Sequence, residues 1–230
     1  DGAMGLEGLK KGYEMLDKEI QELNHDEVEA VTGSKFYTAG LKSQGTALMN
    51  PAALCRGLGD TLPPNVTLYE NTPVHRLERG QQKRLLTTNG EVVTDQLILC
   101  TNVFSPALGF AKSDMVPIVA FASLTRPMTA LEQVEISGDS NGFGLLPTTH
   151  GGSTVRRTPD SRILVRNTWG YGPKDVSHPP LLARAQTNHI DSIKKRWPKF
   201  QDFEMGLGIE HTWGGILGVT RNNGHVFGQI

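Results

Sequence analysis

Leu6, Leu9, Tyr13 and Leu16 recur at spacings of three and four, which places them on one face of a helix within residues 6–23. Asn24 followed by Glu27 is a capping pair for a second, short helix, and Gly33 sits where that helix should stop. Lys35 to Leu41 reads as a strand. Asn50-Pro51 is a strong helix start, with asparagine as cap and proline at the first helical position. The helix "PAALCRGLGDTL" follows and runs out near Pro63-Pro64.

A β-rich block comes next. "VTLYEN" (66–71) predicts a strand. "VHRLERG" and "KRLLTT" predict two more, joined by a polar turn. Asn89-Gly90 in "TTNGEVV" is the clearest hairpin signal in the chain. "TDQLILCTN" (94–102) closes the block as a buried strand whose small polar end stops where something is bound. Helix, strand, three-stranded meander and final strand is an order that decorates nucleotide-binding sheets.

The second half has longer strands. "MVPIVAFASLTRPM" predicts one that meets either a partner or a sheet centre, with Met115–Thr125 as a candidate exposed edge. "NGFGLLP" and "GGSTVRRT" predict short strands set off by glycines. Thr158-Pro159-Asp160 predicts a turn before the strand "RILVRNTWGYG". Ser177 to Trp197 predicts a helix with Pro179 and Pro180 near its start. Leu182, Ala185, His189, Ile193 and Trp197 lie on or near one face, and Pro198 ends it. "FEMGLGIEHTWGG" (203–215) predicts a last strand, and Gly138–Asn141 is the most polar break. Long strands with one or two helices give an α+β class: an antiparallel sheet with helices on one side.

With 230 residues the chain can form one large or two small domains around a real core. Hydrophobic content of 37%, charged content of 20% and a net charge of −1 give no electrostatic case for nucleic acid or an anionic membrane. No apolar run approaches the roughly 18 residues of a membrane span, and the first residues lack signal-peptide features. Residues 1–5 carry no weight. Cys55 and Cys100 read as two buried thiols in a reducing cytoplasm.

Candidate chemistry is sparse. The G-x-G triplets begin at Gly57, Gly142, Gly170 and Gly206, but a dinucleotide fingerprint needs a third glycine three residues on, where Leu62, Pro147, Asp175 and His211 stand. No P-loop or G-x-S-x-G elbow is present. The seven histidines show no metal-ligand spacing, so no metal site is expected. Arg156-Arg157 reads as a solvated edge rather than an anion site. Trp169, Tyr171 and Trp213, all near glycines, either line a pocket or pack in the core.

The ordered set "NPAALCRGLGDTLPPNVTLYENTPVHRLE", "VVTDQLILCTNVFSPAL", "VPIVAFASLTRPM", "TVRRTPDSRILVRNTWGY" and "HTWGGILGVTRNNGHVFGQI" resembles the FAD-dependent oxidases of the D-amino-acid oxidase and glycine oxidase superfamily. Within it, the set is most similar to the gamma-glutamylputrescine oxidoreductase group. The resemblance runs from about Leu6 to Ile230. It implies an antiparallel substrate domain plus part of an FAD-binding domain, namely the meander and the last parallel strand. The expected boundaries are a helical segment 1–34, a substrate-domain strand 35–49, a partial FAD-binding domain 50–112, the substrate domain 113–213, and the start of a second FAD-binding stretch 214–230.

The same resemblance implies roles. Val74 presents backbone to the adenine of FAD, and Cys100-Thr101-Asn102 lie beside the AMP part. Asn167, Thr168 and Trp169 line the substrate pocket; strand alternation, by contrast, puts Arg166 on the opposite face from Asn167, as a structural residue. Leu217 stands where several amino-acid oxidases of the family carry a carboxylate-clamping arginine, with Asn222-Asn223 at the following Asp-Gly and Arg221 out of phase. That favours an amine, or a substrate whose carboxylate is held elsewhere. No catalytic residue is nominated.

The family's glycine fingerprint lies upstream of the first helix here, and a second glycine-rich stretch lies downstream. The chain therefore reads as a fragment of an FAD enzyme of amine oxidation, in polyamine catabolism. By itself it is expected to retain no FAD and to be inactive. Its expected partners are a small-molecule amine and a second copy through apolar surface, with no nucleic acid and no membrane. The rival readings are a folded domain acting only in binding or assembly, and a sarcosine-oxidising or tRNA-modifying flavoenzyme of the same fold.

Overall fold

The computed structural model describes residues 2–136, 138, 142–149, 151–171, 176–201, 208–222 and 224–229. The chain divides into two compact units: Asp1–Leu48 with Val119–Ile216, and Met49–Ile118 with Leu217–Ile230.

In the first unit, α1 (Gly2–Met15) ends sooner than its apolar spacing suggests. Asp17 takes a left-handed conformation (φ 50°), and the chain turns into β1 (Ile20–Leu23). β1 pairs antiparallel with β2 (Gly40–Ser43), so only the end of the expected 35–41 strand is extended. Between them lies α2 (His25–Thr32), whose ends follow the sequence signals closely. Asn24 accepts from Glu27 N at 3.0 Å, Glu27 accepts from Asn24 N at 2.8 Å, and Gly33 closes the helix at φ 64°.

A five-stranded sheet in the order β10-β6-β9-β8-β7 carries the core. β6 is Met115–Thr125, β7 Phe143–Leu145, β8 Thr154–Arg157, β9 Ile163–Tyr171 and β10 Ile209–Thr220. β7, β8 and β9 form an antiparallel meander. β6 lies between β10 and β9 with Val119 to Ser123 buried, so of the two placements expected for it the sheet centre holds and the exposed edge does not. The start of the last strand, residues 203–207, and most of the polar break at 138–141 lie outside the described residues.

One face of this sheet is covered by α5 (Pro179–Arg196). Val155, Ile163 and Val165 pack with Ile193 and Trp197, and Val119 and Phe121 pack with Ala185. A side chain of this size, moved from water into such a core, contributes roughly 1.5–3 kcal/mol. The end of α5 is tied to the α2 region through three hydrogen bonds. Trp197 Nε1 donates to Thr32 O at 3.1 Å, Ser34 Oγ to Arg196 O at 2.7 Å, and Arg196 Nε to Tyr37 Oη at 2.7 Å. A short helix α4 (Ala130–Ile136) starts with a Thr129–Glu132 capping box, and Glu132 also receives Arg126 in a two-pronged ion pair.

The second unit holds α3 (Pro51–Asp60) and a three-stranded meander of β3 (Val74–Glu78), β4 (Lys83–Thr87) and β5 (Gly90–Thr94). Asn50 caps α3 by accepting from Ala53 N at 3.1 Å, with Pro51 in the first turn. The β4–β5 turn falls at the Asn89-Gly90 signal, with Thr87 opposite Gly90. The strands expected at 66–71 and 94–102 are otherwise: only Thr94 of these residues is in a strand. Among the described residues neither segment is paired in a β-ladder beyond Thr94. Val66, Leu68, Tyr69 and Ile98 are exposed.

Candidate functional site

β9 is the element on which the resemblance places a pocket, and its geometry departs from simple alternation. Ile163 and Val165 face α5, and the next residue in phase, Asn167, donates to Ser153 Oγ at 3.2 Å, which in turn meets Ser192 of α5 at 3.1 Å. Thr168 should then point away. Instead it donates to Asn167 Oδ1 at 3.0 Å and accepts from Asn188 of α5 at 3.2 Å. Gly170 also faces this side, since a Cβ there would lie 3.7 Å from Phe121. Two consecutive residues facing one side shift the strand's phase by one, as a β-bulge does.

The shift has a consequence on the other face. Arg166 shares that face with its cross-strand partner Thr154, to which its Nη2 donates at 3.0 Å. Strict alternation would put Trp169 on the α5 side. The slip turns it to the same side as Arg166, and the Arg166 guanidinium sits 5.1 Å from the centroid of the Trp169 ring. Of the three expected pocket residues, then, Asn167 and Thr168 hydrogen-bond towards α5, and Trp169 joins Arg166 on the opposite face. Arg166 could not be paired with Trp169 from the sequence because nothing there marks the slip.

Arg157 is buried, so the solvated-edge reading of Arg156-Arg157 fails for it. Tyr171 is 81% exposed and Trp213 42%, so neither is a core residue. Beneath the sheet, on the α5 side, Ser123 Oγ lies 2.7 Å from His189 Nδ1 and 2.9 Å from Thr212 Oγ1. Burial holds the His189 pKa down at about 4, against a smaller upward pull from the Phe121 backbone. Among the described residues no cluster of His, Cys, Asp or Glu is placed to hold a metal.

The nucleotide-side candidates lie in the second unit. Val74 opens β3 opposite Thr87, beside a register shift between Val74 and Arg76. Thr101 Oγ1 lies 2.8 Å from Ser105 Oγ, and Asn102 (φ 42°) starts a 3-10 turn over Asn102–Leu108. Asn102 also packs on Gly218, where a Cβ would come within 2.6 Å of its Oδ1. Cys55 and Cys100 are free and exposed, which corrects the expectation of two buried thiols.

These residues do not form a dinucleotide cradle by themselves. A pyrophosphate is held by open backbone N–H groups at a helix start. At α3 that end is closed by the Asn50 side chain and Pro51, and the described residues contain no glycine-rich strand-to-helix turn. No described helix is long and apolar enough to cross a membrane.

The long sheet backed by one helix, together with a separate three-stranded meander, is the mixed helix and antiparallel-sheet fold of a flavoenzyme. Glycine oxidase from Geobacillus kaustophilus shares it with a TM-score of 0.70 at 15% identity, over 92% of this chain and 54% of that one. The L-alpha-glycerophosphate oxidase of Mycoplasma pneumoniae, solved with FAD bound, matches with a TM-score of 0.64 at 18% identity, over 88% of this chain and 53% of that one. The chain belongs to the DAO family of FAD-dependent oxidoreductases, whose pattern it matches over residues 3–230. Its sequence is 26% identical over 204 residues to "Probable oxidoreductase OrdL" of Rhizobium meliloti (strain 1021), covering 86% of this chain and 44% of the relative. The chain thus spans about half the length of the proteins it matches.

Proposed function

We infer that this chain supplies the substrate-side part of an FAD-dependent oxidoreductase that oxidises the C–N bond of an amine or amino-acid derivative, of the gamma-glutamylputrescine kind. The observation that carries the substrate reading is Leu217. It is an aliphatic, 37% exposed side chain at the place in β10 where amino-acid oxidases of the family resembled here carry a carboxylate-clamping arginine. A simple α-amino acid would lose its anchor there, and an amine would not need one. FAD, when bound, supplies the two-electron acceptor; the part left to this chain is to bind and orient the substrate and exclude water.

A second reading, a folded domain that acts only by binding, is favoured by one observation: the α3 start is capped by Asn50 and Pro51 and so is not open to a pyrophosphate. Two measurements separate the readings. Calorimetric titration of the chain with gamma-glutamylputrescine, putrescine, sarcosine and glycine is expected to give heat with the first and little with glycine. Preference for glycine or sarcosine overturns the substrate reading, and no binding of any of them favours the non-catalytic one. FAD added to the chain is expected to separate from it on gel filtration, whereas flavin bands that stay with the protein would show that other residues hold it.

A further inference from the structure

The geometry points to a carboxylate-recognition site made by Arg166 and Trp169 on the face of the five-stranded sheet away from α5. Two donors there are orphaned: Arg166 Nε and Trp169 Nε1 are both buried from solvent and have no hydrogen-bond partner among the described residues. A buried N–H without a partner costs on the order of a hydrogen bond, and few such groups survive in folded proteins without an absent ligand or ion to explain them. Here two lie together, on residues whose cation–π contact is 5.1 Å from charge to ring centroid.

The surroundings select the ligand class. Arg166 makes no ion pair with any described carboxylate; Thr154 takes only its Nη2. Among the described residues the half-buried guanidinium therefore has no carboxylate counter-charge, and its Nε edge is the side that a carboxylate engages in bidentate fashion. The indole N–H beside it adds a third, neutral donor. One cation and one neutral donor suit a singly charged, planar carboxylate better than a phosphate, which calls for more positive charge. The strand slip at Asn167 and Thr168 is the local device that builds the pair, because without it Trp169 would face α5. On the resemblance, the family's arginine position falls at Leu217 and not at Arg166.

This inference deepens the amine-oxidation reading and rests on it for its meaning: the substrate would be an amine that also carries a carboxylate. Its test is independent of flavin and turnover. The chain has three tryptophans, so a proton–nitrogen NMR spectrum should show three indole N–H signals, with Trp169→Phe assigning one. Glutarate, at constant ionic strength, is expected to shift the Trp169 signal. Glutaramide, its neutral counterpart, should leave it in place. In Arg166→Gln the apparent affinity for glutarate should fall at least about tenfold, as expected for losing a charge-assisted pair. The Trp197 indole signal, bonded to Thr32 O at 3.1 Å, reports whether the variant is folded. If Arg166→Gln does not fold, the wild-type comparison of glutarate with glutaramide decides alone. The proposal is overturned by an unmoved Trp169 signal, by equal shifts with glutaramide, or by inorganic phosphate acting at lower concentration than glutarate. A shift with glutarate but no heat with gamma-glutamylputrescine would uphold this site and reject the substrate reading; heat with an unmoved Trp169 would do the reverse.

Discussion

The two units place their apolar side chains in opposite ways. In the first, Phe121, Ile163, Val165 and Ile193 are fully buried between sheet and helix. In the second, no described residue is buried, and Leu58, Leu68, Tyr69 and Ile98 stand in solvent. Yet α3 carries Leu54 and Leu58 at helical spacing, much as α5 carries its core residues. An apolar face is half of a contact. α5 finds the other half on β6 and β9, and α3 has no buried residue at all.

The sharpest way to break this contrast is by cavity. Phe121→Ala should destabilise the chain by about 3–5 kcal/mol, whereas Ile98→Ala should change it by less than about 0.5 kcal/mol. Urea unfolding of both variants checks this, and similar losses would mean that the second unit has a core after all.

A pH effect confined to the first unit comes next. His189 is buried with its pKa held at about 4, below its ordinary 6.5. The unfolded chain binds this proton first, so stability is full above pH 6.5 and declines as the pH falls towards 4. The loss reaches about 3 kcal/mol. His189→Gln should flatten stability across that window.

Glu132 titrates lower. The Arg126 ion pair is the main cause that holds its pKa near 2, helped by Thr129. Its contribution is complete above about pH 4.5 and is lost as the pH falls through 2, mostly below the histidine window. Glu132→Gln should cost about 2 kcal/mol at pH 7, where the nearly buried carboxylate meets Arg126, and little at pH 2. Unfolding curves at the two pH values separate these effects.

The smallest contrast compares two caps of similar chemistry. Asn24→Ala and Asn50→Ala each remove one capping bond, worth about 1 kcal/mol to its helix. Only α2 buries residues, Val28 and Thr32, so Asn24→Ala should lower global stability while Asn50→Ala lowers helicity alone. Circular dichroism read against the unfolding midpoint distinguishes them.

What could be read in advance follows the same division. Caps and turns depend on neighbours in sequence, and Asn24–Glu27, Gly33, Asn50-Pro51 and Asn89-Gly90 all mark their elements correctly. α5 and β6 could be read because their apolar faces meet partners within the chain. "VTLYEN" and "LILCTN" carry strand composition, but a strand also needs a neighbour to bond to, and neither is paired in a β-ladder among the described residues. Near the candidate site the limit was of another kind. Period-two reasoning separates Arg166 from Trp169, and only the observed slip at Asn167–Thr168 reunites them.

Hydrogen exchange followed by mass spectrometry on the intact 230-residue chain tests the central contrast most directly. Peptides covering β6, β9 and α5 should exchange slowest, near the rate of global unfolding, and those covering α3 and the β3–β5 meander at least about a hundredfold faster. Equal protection in both regions would contradict the account, because it would require a buried core in the second unit where the structure places exposed apolar side chains.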